Sequence, residues 1–215
     1  LNKCCPKSYS VLEPSAQDYV SDLINPEDSQ LSEIRKRSKE KNLPDISISQ
    51  FDARHLEIIS RIANPGKVVE VGTLAGYSTI ALSRGLKKGG KLFTFENNPE
   101  HIIEAKNTFS KYLVEDKIQL IQGNAQDTLS QIERFGKFDL MFIDADKTSY
   151  CFYLHWATKF IRKGGLLIAD NVFRYIHNRP FAKEVHQFNI ELSQSPDWYG
   201  TYLPVEDGLA VFIRV

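Results

Sequence analysis

Apolar positions along this chain follow two rhythms. Short, mostly apolar runs recur at 68–71, 92–95, 118–121, 138–143 and 166–169, the length of strands buried in a parallel sheet. Between them apolar residues return at helical spacing. Ala53, Leu56, Ile59, Ile62 and Ala63 mark one helix, with Ser49 placed to cap it and Asp52 near its positive end. Asn64-Pro65-Gly66 stops that helix. Further helices are expected over 79–82, 99–111, 127–134, 148–161 and 181–192, and Lys163-Gly164-Gly165 reads as a turn. Strands at 200–205 and 209–215 are joined by a turn at Glu206-Asp207-Gly208, hence antiparallel. The order predicts an α/β fold: a doubly wound, Rossmann-like, mostly parallel seven-stranded sheet with a reversed C-terminal strand and helices on both faces.

The amino-terminal part is different. The first residues are polar and irregular and read as an arm. A short helix around Tyr19, Val20, Leu23 and Ile24 ends at Asn25-Pro26. A charged helix over 31–41 carries Arg35, Lys36, Arg37, Lys39 and Lys41, read mainly as a solvated face. Residues 1–48 are expected to form an arm and helices too small for a core of their own, able to cover a substrate or meet a second copy. Residues 49–215 form the α/β domain.

Composition narrows the class. At 215 residues, with 42% hydrophobic and 25% charged residues, the chain can bury one core. Lys+Arg and Asp+Glu are both 27, so zero net charge makes no global case for nucleic acid or an acidic membrane. The three cysteines (Cys4, Cys5 and Cys151) form no even framework, which suits a reduced cytoplasmic setting. No run reaches membrane-spanning length and no signal peptide is visible. The chain opens at Leu1, so its start is expected to be trimmed.

Candidate chemistry gathers at the carboxyl ends of the expected strands, the edge where open α/β sheets bind ligands. A glycine turn, residues 72–76, follows the first strand. Glu70 ends that strand and Glu96 ends the second. Asp144 and Asp146 follow the fourth, and Asp170 with Asn171 the fifth. The turn lacks the tight Gly-x-Gly of a pyrophosphate site, while Glu96 is placed to hold a ribose diol. S-adenosylmethionine has a diol, an ammonium and a sulfonium but no pyrophosphate. A looser glycine turn with several carboxylates fits it better than NAD.

The segments at 69–78, Glu96, 123–126, 142–147, Tyr150, Gly164-Gly165, 169–172 and 207–209 occur together and in order. On them the chain resembles the cation-dependent class I O-methyltransferases, the group containing caffeoyl-CoA and catechol O-methyltransferases and many small bacterial members. The resemblance runs from about Ser49 to the end. It implies that Asp144, Asp170 and Asn171 hold a divalent cation, Mg²⁺ or another such as Mn²⁺ or Ca²⁺, and that Lys147 acts as general base on a hydroxyl of a catechol-like substrate. Asp144 also counts as catalytic. For the cofactor it implies Glu96 on the ribose, Gly72 against the cofactor, and Ser78 on the methionyl carboxylate. Asp144 or Asp146, and Glu70, would meet the ammonium, with Ala125 and Gln126 beside the adenine. It also implies a homodimer.

Each residue has a plainer role beside these. Glu70 could orient the loop from beneath, Lys147 could pair with Asp146, and Asp170-Asn171 could form a turn. Trp156 and Trp198 read as core. Two departures fall where substrate is chosen. Family members usually place a Trp and a Gly soon after Asp-Asn-Val, where this chain has Phe173-Arg174-Tyr175-Ile176-His177. Glu206 stands where Gly is common. The first functional expectation is methyl transfer to a hydroxylated aromatic small molecule. The second is a tRNA hydroxyuridine O-methyltransferase, with the basic helix and Arg174, His177 and Arg179 as contacts. The third is a non-enzymatic S-adenosylmethionine-binding protein.

Overall fold

The computed structural model describes residues 14–25, 27–205 and 207–215, with side chains from residue 18. The expected arm, Cys4, Cys5, Pro26 and Glu206 lie outside the described residues.

Seven strands form one sheet: β1 (Lys67–Val71), β2 (Lys91–Glu96), β3 (Ile118–Gln122), β4 (Phe138–Ile143), β5 (Ile161–Asp170), β6 (Trp198–Leu203) and β7 (Leu209–Arg214). Their order is β3-β2-β1-β4-β5-β7-β6. The first five are parallel, and β7 runs antiparallel to both β5 and β6. The helices are α1 (Pro14–Leu23), α2 (Ser29–Glu40), α3 (Gln50–Ala63), α4 (Tyr77–Ser83), α5 (Pro99–Lys111), α6 (Ala125–Thr128), α7 (Tyr150–Phe160) and α8 (Ala182–Gln194). The expected doubly wound sheet, with one reversed strand near its edge, is what the chain forms.

Alternation along the strands explains the layers. Val69, Val71, Met141, Ile143, Leu167 and Ala169 face one core, shared with α7 and α8. Val68, Leu140, Phe142 and Ile168 face the other, shared with α2 to α5. Central strands buried on both faces read as mostly apolar runs, with Glu70 the buried exception in β1. Trp156 and Trp198 lie in the first core.

Local chemistry sets the helix ends. The Ser49 hydroxyl accepts from Asp52 N at 3.0 Å and donates to the Asp52 carboxylate at 2.6 Å. Asn64, left-handed at φ 44°, closes α3.

Three elements differ from expectation. The Lys163-Gly164-Gly165 turn is a bulge inside β5, where pairing jumps from Phe138↔Ile161 to Leu140↔Leu166 and Gly164 has φ 72°. The helix expected over 127–134 is α6 continued by a 3₁₀ stretch, Leu129–Phe135, which stacks the buried Leu129 and Ile132 on one side. The basic helix α2 starts earlier, capped by Asp28, and is not simply a solvated face. Arg35 pairs with Glu27 at 2.9 Å and donates to Ile48 O at 3.1 Å, and Arg37 pairs with Glu104 at 2.7 Å. Leu31, Ile34, Leu43 and Ile48 join the α3–α4 core, so the segment before residue 49 packs as part of the domain.

Candidate active site

β1 has β2 on one side and β4 on the other, so the chain's winding reverses there. The carboxyl ends of the strands part at that point, and a cavity of about 420 Å³ opens. The loop leaving β1 is its floor. Gly72, at φ 100°, lies so close to the β4 end that an added Cβ would stand 2.2 Å from Asp144 O. Asp144 N donates to Val71 O at 2.9 Å, binding the two strand exits together. Gly76 at φ 88° then turns the chain into α4.

Glu70 lies beneath this loop. It is fully buried and does not line the cavity. Its carboxylate accepts from Ser78 Oγ at 2.6 Å, from Thr94 Oγ1 at 2.7 Å and from Thr79 Oγ1. The expected contact with the cofactor ammonium is therefore not one the structure brings about, and Glu70 instead ties β1 to α4 and β2. Ser78 does line the cavity. However, its hydroxyl proton goes to Glu70, so it cannot at the same time donate to a carboxylate.

Burial raises the Glu70 pKa from 4.5 to about 7, opposed by the three hydroxyls and aided by Asp144. Between these two values the folded chain binds more protons than the unfolded one, so stability falls as pH rises through that window. Wild-type unfolding should weaken from about pH 4.5 to about pH 7, by on the order of 2–3 kcal/mol from this group. Glu70→Gln should flatten that slope in denaturant titrations at several pH values. An unchanged slope would remove Glu70 as its source.

Glu96 lines the next wall. Its Oε1 accepts from Asn97 N at 2.9 Å and Asn98 N at 3.0 Å, with His101 Nδ1 at 3.4 Å. Its Oε2 accepts only Leu74 N among the described hydrogen bonds, at 2.9 Å, so a lone pair stays available to a hydroxyl donor. Gly123 and Ala125 border the same end. Gln126 does not line the cavity, because its amide reaches across to the Ser149 hydroxyl.

β4 and β5 deliver the reactive groups. Ile143 pairs with Ala169, so Asp144 and Asp170 are each the next residue on adjacent strands. Lys147 is buried, with Nζ 2.8 Å from Asp144 Oδ1 and 2.7 Å from the Tyr150 hydroxyl. The plainer pairing of Lys147 with Asp146 does not form. Asp146 instead accepts from Tyr153 OH at 2.7 Å and from Ser149. Tyr150 OH passes its own proton to Asp170 O at 3.0 Å. Burial, then Asp144 and Asp170, hold this phenol well above its ordinary pKa, so it stays a neutral bridge. Asn171, left-handed at φ 61°, donates from its backbone to Asp170 Oδ1 at 2.7 Å and from its amide to Oδ2 at 3.1 Å.

Asp144, Asp146, Lys147 and Asn171 line the cavity, while Asp170 is buried just behind it. Tyr150, named from the sequence only as part of the resemblance and given no role there, is placed as a positioning residue for Lys147. Its spacing of three from Lys147, one helical turn, was the available signal. The residues Ile46, Ile48, Arg174 and Phe181 also reach the cavity, and only their position in space reveals it.

Sequence and fold are shared with known O-methyltransferases. A family model described as O-methyltransferase matches residues 20–215. A catechol O-methyltransferase of Niastella koreensis is 38% identical over 162 residues, 74% of this chain and 73% of its own length. A catechol O-methyltransferase of Mycobacterium tuberculosis is 33% identical over 161 residues, covering 75% and 73%. An O-methyltransferase from Bacillus cereus, solved in complex with SAH, superposes with a TM-score of 0.86 at 33% identity, over 94% of this chain and 97% of that one. With the family model spanning all of the sheet and most of the helices, the chain belongs to the O-methyltransferase family.

Proposed function

We propose that this chain transfers the methyl group of S-adenosylmethionine to one hydroxyl of a catechol-like small molecule, with a divalent cation at Asp144, Asp170 and Asn171. The observation that carries it is the placement of Lys147 Nζ between Asp144 and Tyr150, in the cavity that Glu96 and the glycine loop also line. The curated relatives named above are catechol O-methyltransferases, and the Bacillus cereus relative holds SAH.

The methyl donor would lie along the β1 and β2 ends. Glu96 Oε2 would accept from the ribose, Gly72 and Ala125 would border the cofactor, and Asp146 or Asp144 would face its ammonium. The donor set beyond β4 and β5 is two carboxylates and one amide, all hard oxygens, which suits Mg²⁺, Mn²⁺ or Ca²⁺. Among the described residues no three His, Cys, Asp or Glu side chains gather as a metal site, so the Asn171 amide is needed as third donor. Bound there, the cation would acidify an adjacent substrate hydroxyl.

Lys147 then does the proton chemistry. As a neutral amine it has two N–H groups, matched by Asp144 and Tyr150, and one lone pair left for the substrate proton. The deprotonated oxygen attacks the methyl carbon, the C–S bond breaks, and the sulfonium leaves as a neutral thioether. The protein contributes mainly positioning and fixed charge.

A tRNA acceptor is the second reading. It is disfavoured because Arg35, Arg37 and Arg179 are engaged with Glu27, Glu104 and Asp207. A homodimer is proposed from the exposed Tyr19, Leu23 and Ile24 on and beyond α1 and Ile58 and Ile62 on α3. No helix among the described residues is long and apolar enough to cross a membrane. A cytoplasmic setting is proposed from the cysteine pattern. The test is a labelled-methyl screen with catechols, phenolic thioesters and unmodified tRNA. Label in a catechol product is the expected result, and label only in tRNA would replace it with the second reading.

A further inference from the structure

Arg174 is the one arginine among the described residues that line the cavity. It stands on a clamped loop. Val172 N donates to Gly208 O at 3.2 Å and Phe173 N to Asp207 O at 2.8 Å, while Arg179 pairs with Asp207 at 3.2 Å. The Arg174 guanidinium spends Nη1 on Pro180 O at 3.2 Å, but its Nε has no hydrogen-bond partner among the described residues. Among the described residues no carboxylate forms an ion pair with it, whereas Lys147 is paired with Asp144 and His101 with Glu96. Arg174 follows Asp170 at the end of β5, next to the β4 end that carries Asp144, so it stands on the β4–β5 side of the cavity. Ile46 and Phe181, both more than half exposed, also line the cavity.

A cation with unspent donors in a cavity that apolar side chains also line is costly unless something anionic meets it. A planar guanidinium matches a carboxylate through two parallel N–H bonds. We propose that Arg174 selects the acceptor, and that the preferred substrate is a catechol bearing a carboxylate, its ring against Ile46 and Phe181 and its acid group on Arg174. This rests on the O-methyltransferase reading above and narrows its substrate class. The methionyl carboxylate of the methyl donor is the competing anion. However, the glycine loop follows β1, two strands from β5, about 10 Å at ordinary strand spacing.

The experiment measures kcat and KM for 3,4-dihydroxybenzoate, 1,2-dihydroxybenzene and a catechol ethylamine, in wild type, Arg174→Met and Arg174→Glu. Thermal unfolding is measured alongside as a control for folding, and affinity for S-adenosylmethionine as a separate readout. Wild type should favour the acid in KM by about 10-fold or more, the scale of one charge-assisted contact. Arg174→Met should collapse that ratio to within about 3-fold, and Arg174→Glu should favour the amine. Equal use of acid and neutral catechol by wild type, or a preference that survives both variants, overturns the proposal and leaves catechol methylation standing. Lost S-adenosylmethionine binding with the acceptor ratio intact would assign Arg174 to the methionyl carboxylate and overturn it as well. Methylation of no acceptor removes this proposal together with the function it rests on.

Discussion

Lys147→Ala is expected to lower kcat for catechol methylation by about 10²–10⁴-fold, the usual contribution of a positioned general base. Two roles compete for this residue. As an ion-pair partner it neutralises Asp144 at 2.8 Å. As a base it must give up its proton and take one from the substrate. Lys147→Arg separates them, since arginine keeps the charge but cannot deprotonate in a protein. If Lys147 is the base, both variants lose activity to a similar extent and still bind S-adenosylmethionine. Recovery of most activity in Lys147→Arg would reduce Lys147 to a counter-ion for Asp144.

Gly72→Ala should cost about 2–5 kcal/mol of stability, the sum of backbone strain and overpacking. The melting temperature should then fall by roughly 5–15 °C for a domain of this size. Two causes act together. Gly72 has φ 100°, which L side chains rarely adopt, and its new Cβ would meet Asp144 O at 2.2 Å and Asp144 C at 2.9 Å. Those are backbone atoms, so no flexible side chain can swing away, and the β1 and β4 exits must separate. The displaced loop carries Leu74, whose N–H holds Glu96, so S-adenosylmethionine binding should weaken with stability. Gly89→Ala is the control. It has φ 75° but nothing within 4 Å of the added carbon, so only the conformational penalty of about 1–2 kcal/mol remains. Equal melting temperatures for the two variants would show that the contact with Asp144 is not tight.

The strands were readable because the central parts of β1, β4 and β5 are buried on both faces and are therefore mostly apolar. The glycine loop and the acids at the strand ends were readable because a parallel sheet puts every βα exit on one edge. What remained hidden depended on long-range partners. Arg35 and Arg37 look like surface charges in the sequence, because Glu27 and Glu104 become their neighbours only when α2 packs on the domain. Glu70 lies two positions before Gly72 and shares the parity of Val68. That parity turns it into the sheet toward Ser78, Thr79 and Thr94 and away from the cavity. The Gly164-Gly165 pair signalled a turn, and only strand pairing distinguishes a turn from a bulge. Arg174 came as a departure from the family pattern with no partner in the sequence to explain it. The partner we infer for it is the substrate itself.

Methyl transfer from labelled S-adenosylmethionine to a catechol by chelator-stripped protein, before and after Mg²⁺ is restored, tests the proposed mechanism most directly. If Asp144, Asp170 and Asn171 hold the cation that acidifies the acceptor, stripping should cut the rate by at least about 100-fold, Mg²⁺ should restore it, and Asp170→Ala should stay inactive in both conditions. An undiminished rate in excess chelator, with Asp170→Ala as active as wild type, would contradict it.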